Sequence, residues 1–204
     1  MHPDEDWAGW FEQVRGRSVR TELLAAVAAL GPGEDRMAVD LGAGDGTETR
    51  WLLENGWRVH AIDGTPGLRA RILDGLASDP GERLAAVDAE FSQVATLPPA
   101  SLIYAGLALP FGTPAEVEHI LGLVASALQP EGVFAAHFLG ERDSWASRDG
   151  VTVHTADELA QVLTGFDVRS VDEREFDGPS GTGPKHWHIR FVTAVARGAA
   201  SPFP

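Results

Sequence analysis

The chain has 204 residues, 44% of them hydrophobic, a formal net charge of −14 and no cysteine. Such a length can bury a full core. The missing thiols exclude disulfides, thiolate metal sites and a cysteine nucleophile, and a single lysine, Lys185, among scattered arginines argues against a nucleic-acid partner. The best apolar run, 23–30, is too short to cross a bilayer, so no membrane partner is expected. The opening acids Asp4, Glu5 and Asp6 lack the basic start of a secretory leader, so a cytoplasmic location is expected.

Trp7, Trp10, Phe11 and Val14 recur at helical spacing, and a Leu- and Ala-rich helix is predicted at 21–30, stopped by Gly31-Pro32-Gly33. An apolar strand at 37–41 then runs into Gly42-Ala43-Gly44-Asp45-Gly46-Thr47. Glycines without Cβ let the backbone lie against a ligand, and the helix predicted at 47–55 would point unpaired N–H groups at it. Gly56 is its expected left-handed terminator. A second strand, 58–62, ends on Asp63, where an acid can grip the hydroxyls of a ribose. A nucleoside-bearing ligand is implied. A dinucleotide site would want G-x-G-x-x-G, but Thr47 stands where the third glycine would fall. Asp40 and Asp45 would also repel a pyrophosphate, whereas an ammonium and a sulfonium would not be repelled.

These residues, Val39 to Gly46 above all, resemble the first motif of the class I S-adenosylmethionine-dependent methyltransferases. Further blocks are similar to a small bacterial subgroup often labelled tellurite-resistance-type: Gly56-Trp57-Arg58-Val59, Leu109-Pro110-Phe111, Gly140-Glu141-Arg142-Asp143-Ser144-Trp145 and Lys185-His186-Trp187-His188. The resemblance implies an α/β, Rossmann-like class I methyltransferase fold. Its sheet would be seven-stranded and mainly parallel, with an antiparallel edge strand and helices on both faces. The cofactor would be S-adenosyl-L-methionine and the product S-adenosyl-L-homocysteine. One domain is expected over 1–204, with a helical cap at 1–33 and a frayed tail at 198–204.

The remaining elements follow the same alternation. A helix is predicted at 66–76 and a strand at 84–87, with a fourth strand at 101–107. A helix at 114–128 ends at Gln129-Pro130-Glu131-Gly132, before a fifth strand at 133–139. A helix at 156–163 precedes a final pair of strands, 166–175 and 185–196, joined through 177–184.

The resemblance also distributes roles. Asp40, Gly42, Ala43, Gly44, Gly46 and Thr47 would shape the cofactor turn, with Asp63, Gly64 and Thr65 at the ribose. The adenine would meet Glu90 and Phe91, with Asp88 as the competing acid. Tyr104 and Ala105, at the carboxyl end of the fourth strand, would lie near the methyl group. Arg17 or Arg20, from the cap, would take the methionine carboxylate. Ser101 stands where the family usually has an acid.

For chemistry, His186 and His188 lie two apart on a strand and share a face, with Trp187 opposite. His137 would approach from the fifth strand. With Asp143 and Tyr104 these are the candidate catalytic groups, a histidine being suited to act as a base near neutral pH. No metal is expected. Trp145 and Trp187 would line an apolar pocket or cage a substrate amine. The acceptor is expected to be a small molecule methylated on O, N or S, or a tellurium, selenium or sulfur species. A cofactor-binding module without catalysis is the other reading, and the assembly is expected to be a monomer or homodimer.

Overall fold

The computed structural model describes residues 7–180 and 183–197, so the predicted tail at 198–204 and the first residues of the predicted cap lie outside the described part. In chain order the elements are α1 (Trp7–Val14), α2 (Thr21–Leu30), β1 (Met37–Leu41), α3 (Thr47–Glu54), β2 (Arg58–Asp63), α4 (Leu68–Leu73) and β3 (Leu84–Asp88). Then come β4 (Ala100–Ala105), α5 (Pro114–Ala127), β5 (Leu128–Gly140), β6 (Val153–His154), α6 (Ala156–Val162), β7 (Phe166–Ser180) and β8 (Gly183–Ala196).

One sheet runs in the order β3-β2-β1-β4-β5-β8-β7. The pairs from β3 through to β5 are all parallel. β8 is antiparallel to both β5 and β7. Two details correct the sequence expectation. The antiparallel strand sits one place in from the edge, which belongs to β7. The two-residue β6, pairing with Leu139 and Gly140 of β5, makes the count eight instead of seven.

Alternation along the strands separates two cores. On β4, Ile103 and Ala105 join the layer under α5 and α6, while Leu102 and Tyr104 join the layer under α2, α3 and α4. Every residue of β4 is buried, as a strand covered by helices on both faces requires. α5 begins on a reciprocal cap in which Glu116 N donates to Thr113 Oγ1 (3.3 Å) and Thr113 N donates to Glu116 Oε2 (2.9 Å).

Two elements differ in length from their prediction. α4 is shorter because the Asp88 carboxylate accepts from the backbone N–H groups of Gly67 (2.8 Å) and Leu68 (3.0 Å), fixing its start. Both oxygens of Asp88 are thus engaged at the start of this helix. The β7–β8 ladder is longer, because the stretch expected to be a connection stays paired from Asp177↔His186 to Ser180↔Gly183. Pro179 is tolerated because β7 is an edge strand whose outer N–H positions need no partner. β5 pairs with β8 only as far as Leu139↔Ile189, so the tip of this hairpin extends past the sheet.

Phe134 of β5 is fully buried and stacks on Phe166 of β7 with centroids 5.2 Å apart. Phe134→Ala should cost about 3–5 kcal/mol, read as a lower urea midpoint at unchanged slope.

Candidate active site

Five loops at the carboxyl ends of β1, β2, β3, β4 and β5 meet α1 and the hairpin tip around one cavity of about 140 Å³, open at its mouth. The floor is the glycine turn. Gly42 has φ +68°, and a Cβ on it would fall 2.2 Å from that of Ala108. Only a residue without a side chain lets the turn after β1 approach the turn after β4 so closely.

Asp63 ties this floor to the next loop. Its Oδ2 accepts from Gly44 N (2.9 Å) and its Oδ1 accepts from Thr65 N (2.9 Å) and from Arg71 (3.2 Å). Arg71 in turn donates to the carbonyls of Gly44 (3.0 Å) and Thr65 (2.9 Å), and its guanidinium lies 4.8 Å from the ring centre of Phe11. It thus joins the turn, the loop after β2 and the cap. The sequence carries no signal for this role beyond an arginine in the helix that follows Asp63.

A second carboxylate, Glu48 of α3, is buried and holds the cap down. Arg17 donates to it at 2.6 Å, Arg20 at 3.2 Å through its side chain and 3.3 Å through its backbone. Burial opposes the charge on Glu48, but those hydrogen bonds win and its pKa falls below the usual range. The Arg17 fork also reaches Asp45 (3.1 Å).

Asp40 is different. It is buried with one hydrogen bond, accepted from Thr49 Oγ1 at 2.6 Å. Burial first, then the nearby charge of Glu48, push its pKa up to about 7. Tyr104 lines the same cavity. Its hydroxyl is buried without a hydrogen-bond partner, and burial raises its pKa. Leu107, also on the wall, holds φ +58°, a left-handed conformation uncommon for a leucine.

The expected cofactor residues therefore sort into two groups. Asp40, Gly42, Ala43, Gly44, Asp63 and Gly64 line the cavity, as do Thr65, Glu90, Phe91, Tyr104 and Arg17. Gly46, Thr47 and Ala105 are not brought to its wall. Gly46 instead lets α4 pack closely, since a Cβ on it would fall 2.8 Å from Ile72. Thr47 donates to Asp45 Oδ2 (2.5 Å), and Ala105 turns into the core, leaving Gly106 on the wall.

The candidate catalytic histidines are not brought there either. His186 and His188 do share a face, but it is the one turned away from the cavity. His186 bonds Asp177 (2.8 Å) and Glu175 (3.1 Å) of β7. His188 is fully buried; the Arg142 backbone N–H donates to its Nδ1 (3.1 Å), which leaves Nε2 as the donor to Glu173 (2.6 Å). His137 lies on the opposite face from that pair, directly across from Phe191, with ring centroids 5.0 Å apart. Burial first, with Arg20 beside it, holds its pKa down.

Asp143 is also absent from the cavity wall. It pairs with the buried Lys185, while its oxygens accept from Trp145 N (2.9 Å) and His188 N (3.0 Å). With Ser144 N donating to His186 O (3.0 Å), this binds the loop after β5 to the free side of the hairpin tip. Lys185 Nζ sits 4.0 Å from the ring centre of Trp187 and 4.4 Å from that of Trp145. The pair expected to cage a substrate amine thus already holds the chain's own ammonium. Sequence reasoning passed over Lys185, although a lone lysine between Pro184 and His186 next to tryptophan was the signal available.

No family model matches the sequence, and no curated protein is significantly similar to it. Solved structures are similar in fold. TehB from Haemophilus influenzae superposes with a TM-score of 0.73 at 12% identity, over 92% of this chain and 66% of that one. This chain therefore spans about two thirds of the TehB chain. A 1,6-didemethyltoxoflavin-N1-methyltransferase from Burkholderia thailandensis, with 1,6-didemethyltoxoflavin and S-adenosylhomocysteine bound, gives 0.65 at 22% identity, over 94% and 85%. The N-methyltransferase NodS from Bradyrhizobium japonicum, with S-adenosylhomocysteine, gives 0.63 at 19%, over 92% and 88%. The fold is the mixed α/β, Rossmann-like fold of these methyltransferases.

Two outcomes test this geometry. Between about pH 4 and 7 the folded chain keeps a proton on Asp40 that the unfolded chain releases, so this group lowers stability as pH rises, by about 4 kcal/mol in all. Asp40→Asn lacks that loss, so its stability relative to the parent should climb from about pH 5 to pH 8 in urea titrations. Lys185→Met leaves Asp143 buried and uncompensated and should cost about 3–5 kcal/mol, part of it regained in the double variant with Asp143→Asn, which removes the charge and keeps an acceptor for a backbone N–H.

Proposed function

We propose that this chain is an enzyme that transfers the methyl group of S-adenosyl-L-methionine to O, N or S of a small molecule, releasing S-adenosyl-L-homocysteine. One observation carries the reading: the glycine turn and the Asp63 carboxylate form one side of a single cavity whose other side is aromatic. When bound, the cofactor supplies a carbon already activated by a sulfonium. The chain's own task is then to hold and align the partners.

The residues present fit this cofactor. Gly42 and Gly44 keep the floor bare, Asp63 with Thr65 suits ribose hydroxyls, and Glu90 with Phe91 suits the adenine. The buried hydroxyl of Tyr104 lacks a partner that a polar ligand would provide. Asp45 and Asp63 bring negative charge to the cavity, and a bound cation would favour release of the proton that Asp40 keeps up to about pH 7. Arg20 is the better placed of the two cap arginines for the methionine carboxylate, because the Arg17 fork is filled by Glu48 and Asp45.

Methylation of a tellurium, selenium or sulfur species is the second reading. It is favoured by one observation, that among the described residues no histidine lines the cavity. Such acceptors need no base. A cytoplasmic protein acting without nucleic acid or membrane remains part of the reading, and among the described residues no helix is long and apolar enough to span a bilayer.

Calorimetry should show S-adenosylmethionine and S-adenosylhomocysteine binding at one site, weakened by about tenfold or more in Asp63→Asn, which removes a charged hydrogen-bonding group. Absence of binding, or full affinity in that variant, would refute the assignment.

A further inference from the structure

Four of the six tryptophans of the chain line this one cavity. Three of its aromatic side chains form a continuous wall together with Phe111. Trp7 of α1 meets Phe111 edge-on at 4.9 Å, Phe111 meets Trp145 at 6.0 Å, and Trp145 meets Trp187 at 5.6 Å. The wall is assembled from distant parts of the chain: the cap, the turn after β4, the loop after β5 and the hairpin tip. An apolar, flat-sided lobe suits a flat, apolar ligand. Trp7 adds a polar handle, since its indole N–H is buried with no partner and wants an acceptor atom.

Charge narrows the ligand further. Lys185 already lies over Trp145 and Trp187, so a cationic acceptor would meet a like charge instead of a free π face.

Proton removal narrows it again. The three histidines weighed as bases lie elsewhere. Acids on the wall are either committed to the fold or already protonated: Glu116 to the Thr113 cap, Glu90 to a cap with Gln93, Glu48 to Arg17 and Arg20, Asp45 to Arg17 and Thr47, and Asp63 to Gly44 and Thr65, while Asp40, buried beside Thr49, holds its proton up to about pH 7. The Tyr104 hydroxyl retains its proton in its buried setting. An alcohol or an ammonium would have to lose a proton during transfer, and the wall offers little to take it.

We infer that the methyl acceptor is a flat aromatic molecule whose accepting atom carries a lone pair free at neutral pH, a pyridine-type ring nitrogen or an aromatic thiolate. The inference rests on the cofactor reading above. The acceptor's lone pair makes the new bond to the methyl carbon, the electron pair of the broken carbon–sulfur bond leaves with sulfur, and no proton moves. A ring nitrogen becomes an N-methyl cation and a thiolate becomes a neutral thioether.

The test uses the full chain with quinoline and thiophenol as probes, against cyclohexanethiol, 2-naphthylmethanol and tellurite. Two measurements are made: mass-spectrometric detection of methyl transfer, and calorimetric binding of each probe to the complex with S-adenosylhomocysteine. Quinoline or thiophenol should be methylated at least about tenfold more efficiently than the comparators. Binding of those two should fall by about tenfold in Phe111→Ala and in Trp7→Ala, two separate truncations of the wall. His186→Ala should leave transfer unchanged. Preferred transfer to the alcohol, to the aliphatic thiol or to tellurite overturns the inference while leaving the cofactor reading standing. So does failure of both aromatic probes to bind, or binding without transfer. Failure of the cofactor itself to bind overturns the reading beneath it instead.

Discussion

The carboxylate of Asp63 is the point on which the site turns. A strand end, a glycine turn and a helix are brought together by hydrogen bonds to its two oxygens, from Gly44, Thr65 and Arg71. Backbone N–H groups at such a turn have no partner within regular structure, and a buried donor left unmade is costly. One side chain thus resolves several unsatisfied donors while presenting its negative charge at the cavity floor. Arg71 extends the arrangement to Phe11, so the cap is registered against the same point.

Two other buried carboxylates do comparable work on the walls. Glu48 fastens the cap through Arg17 and Arg20, and Asp143 fastens the hairpin tip through Lys185 and backbone N–H groups. Around the floor, then, the cap, the loop after β2 and the hairpin tip are each held by a buried acid that accepts several hydrogen bonds. Asp40 stands apart, with Thr49 as its one described hydrogen-bond donor. The negative charge around the floor is therefore held by acids that also build the fold, and burial leaves the carboxyl beside the glycine turn largely uncharged below about pH 7.

Much of this was legible in the sequence because it is local. The strand at 37–41, the glycine turn, the helix starting at Thr47 and the acid at Asp63 are set by apolar runs and chain-bending residues a few positions apart, and they appear where expected. The hairpin was harder. Asp177, Gly178 and Pro179 carry turn chemistry, yet they lie in a ladder because an edge strand tolerates residues a central strand would not. The histidines misled for a related reason. Their shared face was readable from the two-residue period, but which face looks onto the cavity depends on how β8 is seated beside β5. Lys185, Arg71 and Glu48 were illegible for a third reason. Their roles depend on partners many residues away, and a charged side chain shows no preference in sequence between solvent and a buried counter-ion.

The seating of Lys185 has a consequence for the molecule's surface. The only side-chain amine of the chain is 4% exposed, so the native exterior presents no lysine ammonium. Reagents and enzymes that acylate lysine meet no reachable lysine target until the hairpin tip lifts from the loop beneath it. Acylation at this position thus becomes a clock for that opening, readable without any ligand at all.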